Sequence, residues 1–572
     1  MTSEFQRSPR VHSTRSSRRS FMALSVLVGV GLPALAGCDI PAVSRDRGSA
    51  SASGSASAKG RAKAGGADWQ ELDAHVMGHH LGFQVSPLVR RDEKTTVLVL
   101  KLTRAKDDPA VKDIADAASD GGNTFEASLP LSRPGFLRRS DWGANGVRLL
   151  DLSTNRAWLA TASVENKVKD NYNNLPLKPG ASTSCFVLFG PVDAKEVTVF
   201  VPQAGFVTVN VLDSSAAAAS GIDFKAIDKA FDSVDNPNYE AKPDQALAAP
   251  VPIERYTKAL DDSTSTHTGS KDITVTLASD VTFASDSADL ASGAEAQLQT
   301  VAGQLAQYPD GGTLSIVGHT DDVQDDAYNQ TLSEKRANAV KTRLEQLTSL
   351  DKWQTSVSGK GESEPKVNDT SDEARAVNRR VEITLTPTGG TTTKTTTPPA
   401  GTGSLPENKG PVAKGSEGVT VKHVSGNSQL TITIDHVTRS GGYLLGQLHT
   451  TLSAKTDSAP GLYNFLEDDE SPLTSSRGET AGNDAIRTAS NGLTLLAAGE
   501  RIYPADYRDA EFKAHVPLTE LGIGPYIKTG TTTVCVIWPD PGGDTITLDH
   551  AAPRKEVAEL AFRLTDIPVK NS

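Results

Sequence analysis

The sequence predicts a multidomain α+β protein in which an α/β module lies between two all-β regions. In residues 271–387, apolar strand-like runs alternate with segments whose apolar residues recur at helical spacing. On both sides of this module, short runs rich in β-branched residues are separated by Pro, Gly, Asn and Asp. A length of 572 residues agrees with this organisation, since it fits roughly three or four domains.

The composition excludes several classes of function. A formal net charge of -12 argues against nucleic acid as a partner, because a polyanion would be repelled. With three cysteines in the whole chain, a disulfide framework is excluded. No cofactor-binding motif is visible, so no cofactor is expected.

Residues 1–37 have the pattern of a signal peptide. An arginine-rich start precedes an apolar run from Phe21 to Leu35, which is shorter than the roughly 20 residues that span a bilayer. The run ends in Leu35-Ala36-Gly37-Cys38, which resembles a bacterial lipobox. This resemblance implies lipidation of Cys38 and anchoring to a membrane, while a chance cysteine in an uncleaved anchor is the alternative.

The route of export and the tether are also suggested by this part of the chain. The segment Ser17-Arg18-Arg19-Ser20-Phe21-Met22 is similar to a twin-arginine export signal, although adjacent arginines also arise by chance in a basic leader. Residues 38–66 include a long Ser/Ala/Gly-rich stretch and are predicted to form a flexible tether.

The two β regions, residues 67–213 and 417–572, share a short repeat. In each, a glycine lies five residues before a cysteine and an apolar strand follows, at Gly180–Cys185 and Gly530–Cys535. A second correspondence relates residues 97–103 to residues 430–438. The two regions therefore resemble a pair of related immunoglobulin-like sandwiches.

Two residue pairs in these regions raise the question of special chemistry. We expect Cys185 and Cys535 to be buried free thiols, because a bond between equivalent inner strands of two domains is geometrically awkward. His79 and His80 lack a carboxylate or cysteine at ligand spacing, so they are interpreted as a surface pair, and no metal site is predicted.

The remaining segments are predicted to be connections. Residues 214–270 form a mixed connector with a short helix at Phe224–Phe231, and residues 388–416 form a Thr/Pro/Gly-rich linker.

The central module is predicted to have the order βαβαβ, followed by a short helix and a last strand. Its helices should cover one face of the sheet. The predicted elements are, in order, strand 273–283, helix 291–308, strand 313–317, a helix ending near 347, strand 353–358, helix 372–378 and strand 381–385.

Residues 272–387 resemble the OmpA-like C-terminal peptidoglycan-binding domain. The motifs that carry the resemblance are Gly318-His319-Thr320-Asp321, Tyr328-Asn329, Leu332-Ser333, Arg336-Ala337, Gly361-Glu362-Ser363 and Asn378-Arg379-Arg380-Val381. The resemblance implies non-covalent binding of the diaminopimelate side chain of peptidoglycan, with Asp321 and Arg336 as its main contacts. Thr320, Asn329 and Arg379 would lie at or beside the ligand.

The chemistry of these residue types suits that ligand. Diaminopimelate presents an ammonium and a carboxylate, for which a carboxylate and a guanidinium are the matching partners. Three positions depart from the pattern that the family often shows: Gln324, Ala374 and Lys360. The binding loop, which contains Asp322, Asp325 and Asp326, is also unusually acidic. The spacing of these aspartates does not match a calcium-binding loop.

The sequence therefore predicts a lipid-anchored, extracytoplasmic envelope protein that links a membrane to peptidoglycan. In the alternative, the β regions bind a protein or a glycan and the module is a wall anchor. An enzyme is disfavoured, since no catalytic constellation is visible.

Overall fold

The computed structural model describes residues 68–108, 123–132, 143–165, 175–233, 249–284, 286–391, 405–423, 428–454, 461–466, 489–509, 514–521, 529–551 and 559–572. The predicted signal peptide, the lipidation site Cys38 and the whole of the predicted tether lie outside these ranges. Among the helices that are described, none is both long and apolar enough to cross a membrane.

The first β region consists of short strands, as its sequence predicts. Its described elements are β1 (Gln70–Val76), β2 (His79–Val85), β3 (Leu88–Arg90), β4 (Thr96–Arg104), β5 (Phe125–Glu126), α1 (Ser128–Leu131), β6 (Arg148–Asp151), β7 (Arg156–Leu159), β8 (Ala162–Glu165), β9 (Pro176–Leu177), β10 (Ser182–Phe189), β11 (Glu196–Val201) and β12 (Gly205–Leu212).

The segment predicted to be a connector contains regular structure. It holds a 3₁₀ turn (Ser214–Ala216), α2 (Phe224–Asp232), β13 (Val251–Pro252), β14 (Arg255–Ala259) and β15 (Thr264–Thr268). The short helix was predicted, and the Asp223 side chain caps it by accepting from the Lys225 backbone N–H. The three strands were not predicted, because β14 and β15 are mostly polar, while β13 has two residues and pairs with the distant β7.

The central module has the predicted order of elements. It comprises β16 (Ile273–Ala278), α3 (Ser279–Thr282), α4 (Ala294–Ala306), β17 (Gly312–Gly318), α5 (Asp326–Leu347), β18 (Trp353–Gly359), α6 (Asp372–Asn378) and β19 (Arg380–Pro387). The strand order is β18-β17-β19-β16, with β17 and β18 parallel and the other pairs antiparallel. One prediction is wrong: the first strand ends at Ala278, and residues 279–282 form the turn of α3 instead.

The helices α4 and α5 pack on one face of this sheet. Alternating residues of β16, among them Val275 and Leu277, are fully buried, while their neighbours along the strand are half-exposed. Leu298 and Val301 of α4 and Val340 of α5 join the same apolar cluster. The alternating apolar residues of the strands and the apolar faces of the two helices therefore pack into one core.

The last region is again made of strands. Its described elements are β20 (Val412–Lys414), β21 (Val419–Lys422), β22 (Ser428–Thr433), β23 (Val437–Ser440), β24 (Tyr443–Ala454), α7 (Tyr463–Leu466), β25 (Leu493–Ala497), β26 (Glu500–Ile502), β27 (Asp506–Arg508), β28 (His515–Pro517), β29 (Gly530–Pro539), β30 (Thr545–His550) and β31 (Phe562–Asn571). Strand β20 lies inside the predicted linker, where it pairs in parallel with β31.

The two β regions are not separate bodies, contrary to the expectation of two flanking sandwiches. One apolar cluster contains Leu81 and Phe83 of the first region together with Leu448 and Trp538 of the last. Polar contacts cross between them as well, such as the Gly78 backbone N–H donating to Thr531 O at 2.9 Å. Each region leaves an apolar strand face that the other covers. Their likeness to immunoglobulin-like sandwiches stays a prediction.

The sheet of the central module continues into the last region through the predicted connector. Strand β16 pairs with β15, β15 with β14, and β14 with β26, all antiparallel. The pairing of Thr257 with Ile502 shows how this register joins distant parts of the sequence. The module is therefore attached by hydrogen-bonded strands.

The short repeat has a partial structural counterpart. Gly180 and Gly530 both have positive φ angles, 75° and 93°, which glycine adopts without strain. Cys185 and Cys535 are buried and form no disulfide among the described residues, as predicted. The second correspondence fails, because residues 430–438 span the end of β22 and the start of β23.

The two adjacent histidines differ in environment, so their interpretation as a surface pair is wrong for His79. Strand β2 alternates between buried and half-exposed residues, which turns His79 inward and His80 outward. His79 Nδ1 lies 2.7 Å from Asp108 Oδ2, and that carboxylate also accepts from Arg104 Nε at 2.6 Å. His79 thus belongs to a buried ion-pair cluster.

Candidate functional site

Four of the five predicted binding residues lie directly after β17 or on the facing part of α5, and the fifth, Arg379, lies between α6 and β19. Gly318 ends the strand where α5 crosses it closely: a Cβ atom there would lie 2.2 Å from Ser333 O. The glycine therefore allows the helix to approach the strand end. The next residues, His319 and Thr320, are buried beneath this crossing.

Asp321 is held by Arg379. Its Oδ2 atom accepts a hydrogen bond from Arg379 Nη1 at 2.6 Å, and its Oδ1 atom accepts one from the Val323 backbone N–H at 3.3 Å. Arg379 also donates to both carboxylate oxygens of Asp280, at 2.8 and 2.6 Å. Its hydrogen bonds to Asp280 and then to Asp321 raise the pKa of Arg379, so this guanidinium is fully committed to two carboxylates.

Arg336 is buried without a carboxylate partner. It is 5% exposed, its Nε donates to Ser287 O at 2.9 Å, and its guanidinium carbon lies 5.1 Å from the centroid of the Phe283 ring. Within the described residues, no carboxylate lies within ion-pair distance of it, and its Nη atoms donate no hydrogen bond. Burial lowers the pKa of Arg336, and the nearby Asp280 opposes that shift.

Asn329 supports the binding loop from below. Its Nδ2 atom donates toward Asp321 O at 3.1 Å, Gln324 O at 3.0 Å and Glu362 Oε2 at 2.6 Å. The residue is 2% exposed, so its amide is used for holding the loop in place. This position beside Asp321 agrees with the motif that singled it out.

Thr320 carries a buried hydroxyl that points to no described partner. Its backbone N–H donates to Gly361 O at 2.9 Å, which fixes the residue between β17 and the 359–364 loop. Its Oγ1 is buried and makes no hydrogen bond with the residues that the structure describes. A buried hydroxyl without a hydrogen-bond partner costs free energy.

His319 is a buried neutral residue at the same strand end. Burial first, and then the charge of Arg380, lower the pKa of His319 to about 4. Its Nε2 lies 4.0 Å from Glu382 Oε2, which is beyond hydrogen-bonding distance. The imidazole is therefore uncharged at neutral pH and adds no positive charge to the site.

The unusual acidity of the loop is accounted for by local contacts. Asp322 accepts from Arg375 Nε at 2.7 Å, and Asp325 caps α5 by accepting from the Tyr328 backbone N–H at 2.9 Å. Lys360 likewise contacts Glu364 at 2.7 Å. These departures from the family pattern thus have partners in this chain.

Sequence reasoning missed the wall of the site that Asp280, Phe283, Asp286 and Ser287 provide. Asp280 binds Arg379, Phe283 lies under Arg336, and Ser287 accepts from Arg336. Tyr328 Oη donates to Asp286 Oδ1 at 2.8 Å across the same opening. The first strand was predicted to extend to residue 283, so Asp280 and Phe283 were not expected beside the site. Asp280 lies two residues after the true end of that strand, and its carboxylate could have indicated this part of the site.

The comparisons with known proteins match this part of the chain. Residues 282–379 match the OmpA family. Outer membrane porin F of Pseudomonas aeruginosa is 41% identical over 103 residues, which are 18% of this chain and 29% of the porin. Probable lipoprotein YiaD of Escherichia coli is 34% identical over 116 residues, which are 20% of this chain and 52% of that protein.

A solved structure gives a further likeness. The cell wall anchor of the T6SS from Pseudomonas aeruginosa is similar over 22% of this chain and 90% of that chain, with 28% identity and a TM-score of 0.20. The chain spans about a third or less of the length of the first two curated relatives. The family match and the motifs both fall in the central module, and residues 282–379 are an OmpA family domain.

Proposed function

We propose that the protein binds peptidoglycan non-covalently through the diaminopimelate of the stem peptide and thereby ties the envelope to the cell wall. The observation that carries the proposal is Arg336, a buried cation without a carboxylate partner among the described residues. Burying an unpaired charge is costly, so a site that keeps one is suited to an anionic ligand.

The rest of the site suits the other end of the same ligand. A carboxylate of diaminopimelate would accept from the two Nη atoms of Arg336 in a bidentate pair. The neighbouring ammonium would donate to the carboxylate of Asp321, whose side chain keeps 14% of its area exposed. Arg379 would act by orienting Asp321, since it already donates to that carboxylate.

The proposal extends to the whole chain as a binding protein rather than an enzyme. Lipidation of Cys38 would hold the chain at a membrane outside the cytoplasm, and the two β regions would form one rigid platform for the OmpA family domain. Individual charge-assisted hydrogen bonds contribute about 1.5–3 kcal/mol, so the affinity for a single stem peptide should be modest. A tethered protein facing many identical sites compensates through effective concentration.

Sedimentation with purified sacculi tests the ligand. The full chain should co-sediment with sacculi that contain diaminopimelate, and free diaminopimelate should compete. Arg336→Met keeps the length of the side chain and removes the guanidinium, so it should weaken retention by about 10- to 100-fold.

Arg343→Met is the matched control. Arg343 lies on the same helix, where its Nη2 contacts Glu295 Oε2 at 2.8 Å on the surface. Retention of that variant should equal wild type. Equal retention of Arg336→Met and wild type would contradict the proposed site.

The anchor is tested separately. Cys38→Ala should move the protein from the membrane fraction to the soluble fraction without changing its retention by sacculi. A variant that remains with the membrane would show that lipidation at Cys38 is not what holds the chain there.

A further inference from the structure

Two histidines and one glutamate converge outside the OmpA family domain. His267 Nε2 lies 2.6 Å and His515 Nε2 lies 2.9 Å from the same atom, Glu254 Oε2. One ligand atom from each of the three residues can be chosen so that all lie within 4.8 Å of one another. The imidazoles meet edge to face, with ring centroids 5.6 Å apart.

Strand pairing fixes the backbone of each of these residues. His267 in β15 is the register partner of Tyr256 in β14, two residues after Glu254. Glu254 forms an isolated bridge with Asp506 of β27, and β27 pairs with β28, which begins at His515. Residues 261 positions apart in sequence are thus held together by hydrogen-bonded backbone.

We propose that Glu254, His267 and His515 bind one divalent metal ion of the zinc class. Two imidazoles and a carboxylate are a ligand set that Zn²⁺ accepts with water in the fourth position. Tetrahedral bonds of about 2.1 Å place ligand atoms about 3.4 Å apart, so the side chains need to move outward by less than about 1 Å. Side-chain exposures of 29% for His267 and 12% for Glu254 leave an entry path for the ion.

The electrostatics of the cluster agree with a cation site. Burial alone would raise the pKa of Glu254, but the hydrogen bonds from His267 and His515 lower it well below its ordinary value. The carboxylate is therefore ionised in the metal-free protein, and a metal ion would replace its hydrogen bonds to the two imidazoles. The ordinary alternative is a metal-free hydrogen-bonded cluster, and metal titration separates the two.

The place of this cluster in the chain gives the ion a role. Glu254 and His267 precede the OmpA family domain in sequence, and His515 follows it. A metal ion would cross-link the strands on which that domain is mounted to the last β region. The site would act as a clamp on this attachment, whatever ligand the domain itself binds.

Metal titration of the purified full chain tests the proposal. After removal of metal with a chelator, the wild type should bind one Zn²⁺ per chain in competition with a chromophoric chelator. Bound Co²⁺ should give the visible absorption of a site with nitrogen and oxygen ligands. Zn²⁺ should also raise the thermal unfolding temperature, because an ion that binds the folded state stabilises it.

Substitutions then assign the site. His267→Ala, His515→Ala and Glu254→Gln should each weaken Zn²⁺ binding by at least about 100-fold, since loss of an outer-shell partner already costs 10- to 100-fold. His80→Ala is the matched control, because His80 Nε2 lies 2.7 Å from Asp73 Oδ1 and belongs to no three-ligand group among the described residues.

The outcomes are decisive even if one variant fails to fold. His267 has the most exposed side chain of the three, so its replacement should disturb folding least. Absence of stoichiometric Zn²⁺ binding by the wild type would overturn the proposal without any variant. Binding that is equal in the wild type and in folded His267→Ala and Glu254→Gln would overturn it as well.

Discussion

Two buried arginines, one in the first β region and one in the OmpA family domain, have opposite surroundings. The Arg104 side chain is fully buried and donates to Asp108 Oδ2 at 2.6 Å and to the carbonyl oxygens of Asn123 and Leu177, both at 3.0 Å. Arg336 is nearly as buried, yet it contacts one carbonyl oxygen and an aromatic ring. Burial alone therefore does not distinguish a cation that the protein itself pairs from one that we propose to bind a ligand.

The difference lies in how many partners the protein itself provides. When the protein satisfies the hydrogen bonds of a buried charge, removing one partner is strongly destabilising, because the other charge is left buried without compensation. A buried charge whose donors have no partner carries the desolvation penalty uncompensated, and a bound anion would offset that penalty. Replacing either arginine with methionine and measuring the stability of the variant tests this difference.

Arg104→Met should give the largest loss of stability. It leaves Asp108 and His79 buried without their guanidinium partner, which should lower the free energy of unfolding by about 3–5 kcal/mol. Urea-induced unfolding followed by circular dichroism measures the effect. A loss below about 1 kcal/mol would show that the Arg104 cluster is not a structural ion pair.

Glu520→Gln should remove a dependence of stability on pH of about 3 kcal/mol. Burial raises the pKa of Glu520 to about 7, although the Gln203 and Cys535 backbone N–H groups oppose this. An acid whose pKa is raised on folding holds its proton longer when folded, so its contribution falls as pH rises from about 4.5 to about 7.

Unfolding at pH 5 and pH 8 checks the prediction for Glu520. The wild type should lose about 2–3 kcal/mol more than Glu520→Gln between these two values, since a part of the effect is already lost at pH 5. Parallel losses in both proteins would mean that the carboxyl ionises normally. Because Glu520 Oε1 accepts from Gln203, this titration reports on the contact between the two β regions.

Arg336→Met should change the stability of the protein by no more than about 1 kcal/mol, or increase it. The variant keeps an apolar stem against Phe283 and removes a charge without a described carboxylate partner. Thermal unfolding of this variant beside Arg104→Met measures the contrast. A large destabilisation would indicate that Arg336 belongs to the same structural class as Arg104.

Arg375→Ala should have the smallest effect. Arg375 pairs with Asp322 at 2.7 Å, but both side chains are accessible to water, and such pairs contribute little. Neither the unfolding temperature nor sacculus retention should change measurably. Reduced retention would show that the pair shapes the binding loop, which would place Asp322 among the residues that govern the site.

The sequence predicted well what depends on local patterns. Helix 372–378 was predicted with the bounds that the structure has, where the Ser371 side chain caps it by accepting from the Ala374 backbone N–H. The motif residues were likewise found together, since Asp321 and Arg336 flank one strand–helix crossing.

Long-range pairing could not be predicted from the same patterns. The contact of His515 with Glu254 depends on β27 and β28, which are three residues each and carry no periodic signal. The shared core of the two β regions depends on which apolar strand faces pack against each other. The alternation of residues along a strand shows only that one face is apolar, so it could not predict this pairing. Arg379 was recognised by its motif, but its pairing with Asp280 required the true end of the first strand.

The continuous strand pairing from β18 to β26 also has a mechanical meaning. A domain joined to its neighbour by a loose linker would swing freely when its ligand is pulled. Here a force applied at the OmpA family domain passes through successive interstrand hydrogen bonds into the last β region, so many bonds share the load. The OmpA family domain should therefore be held rigidly against the last β region under load.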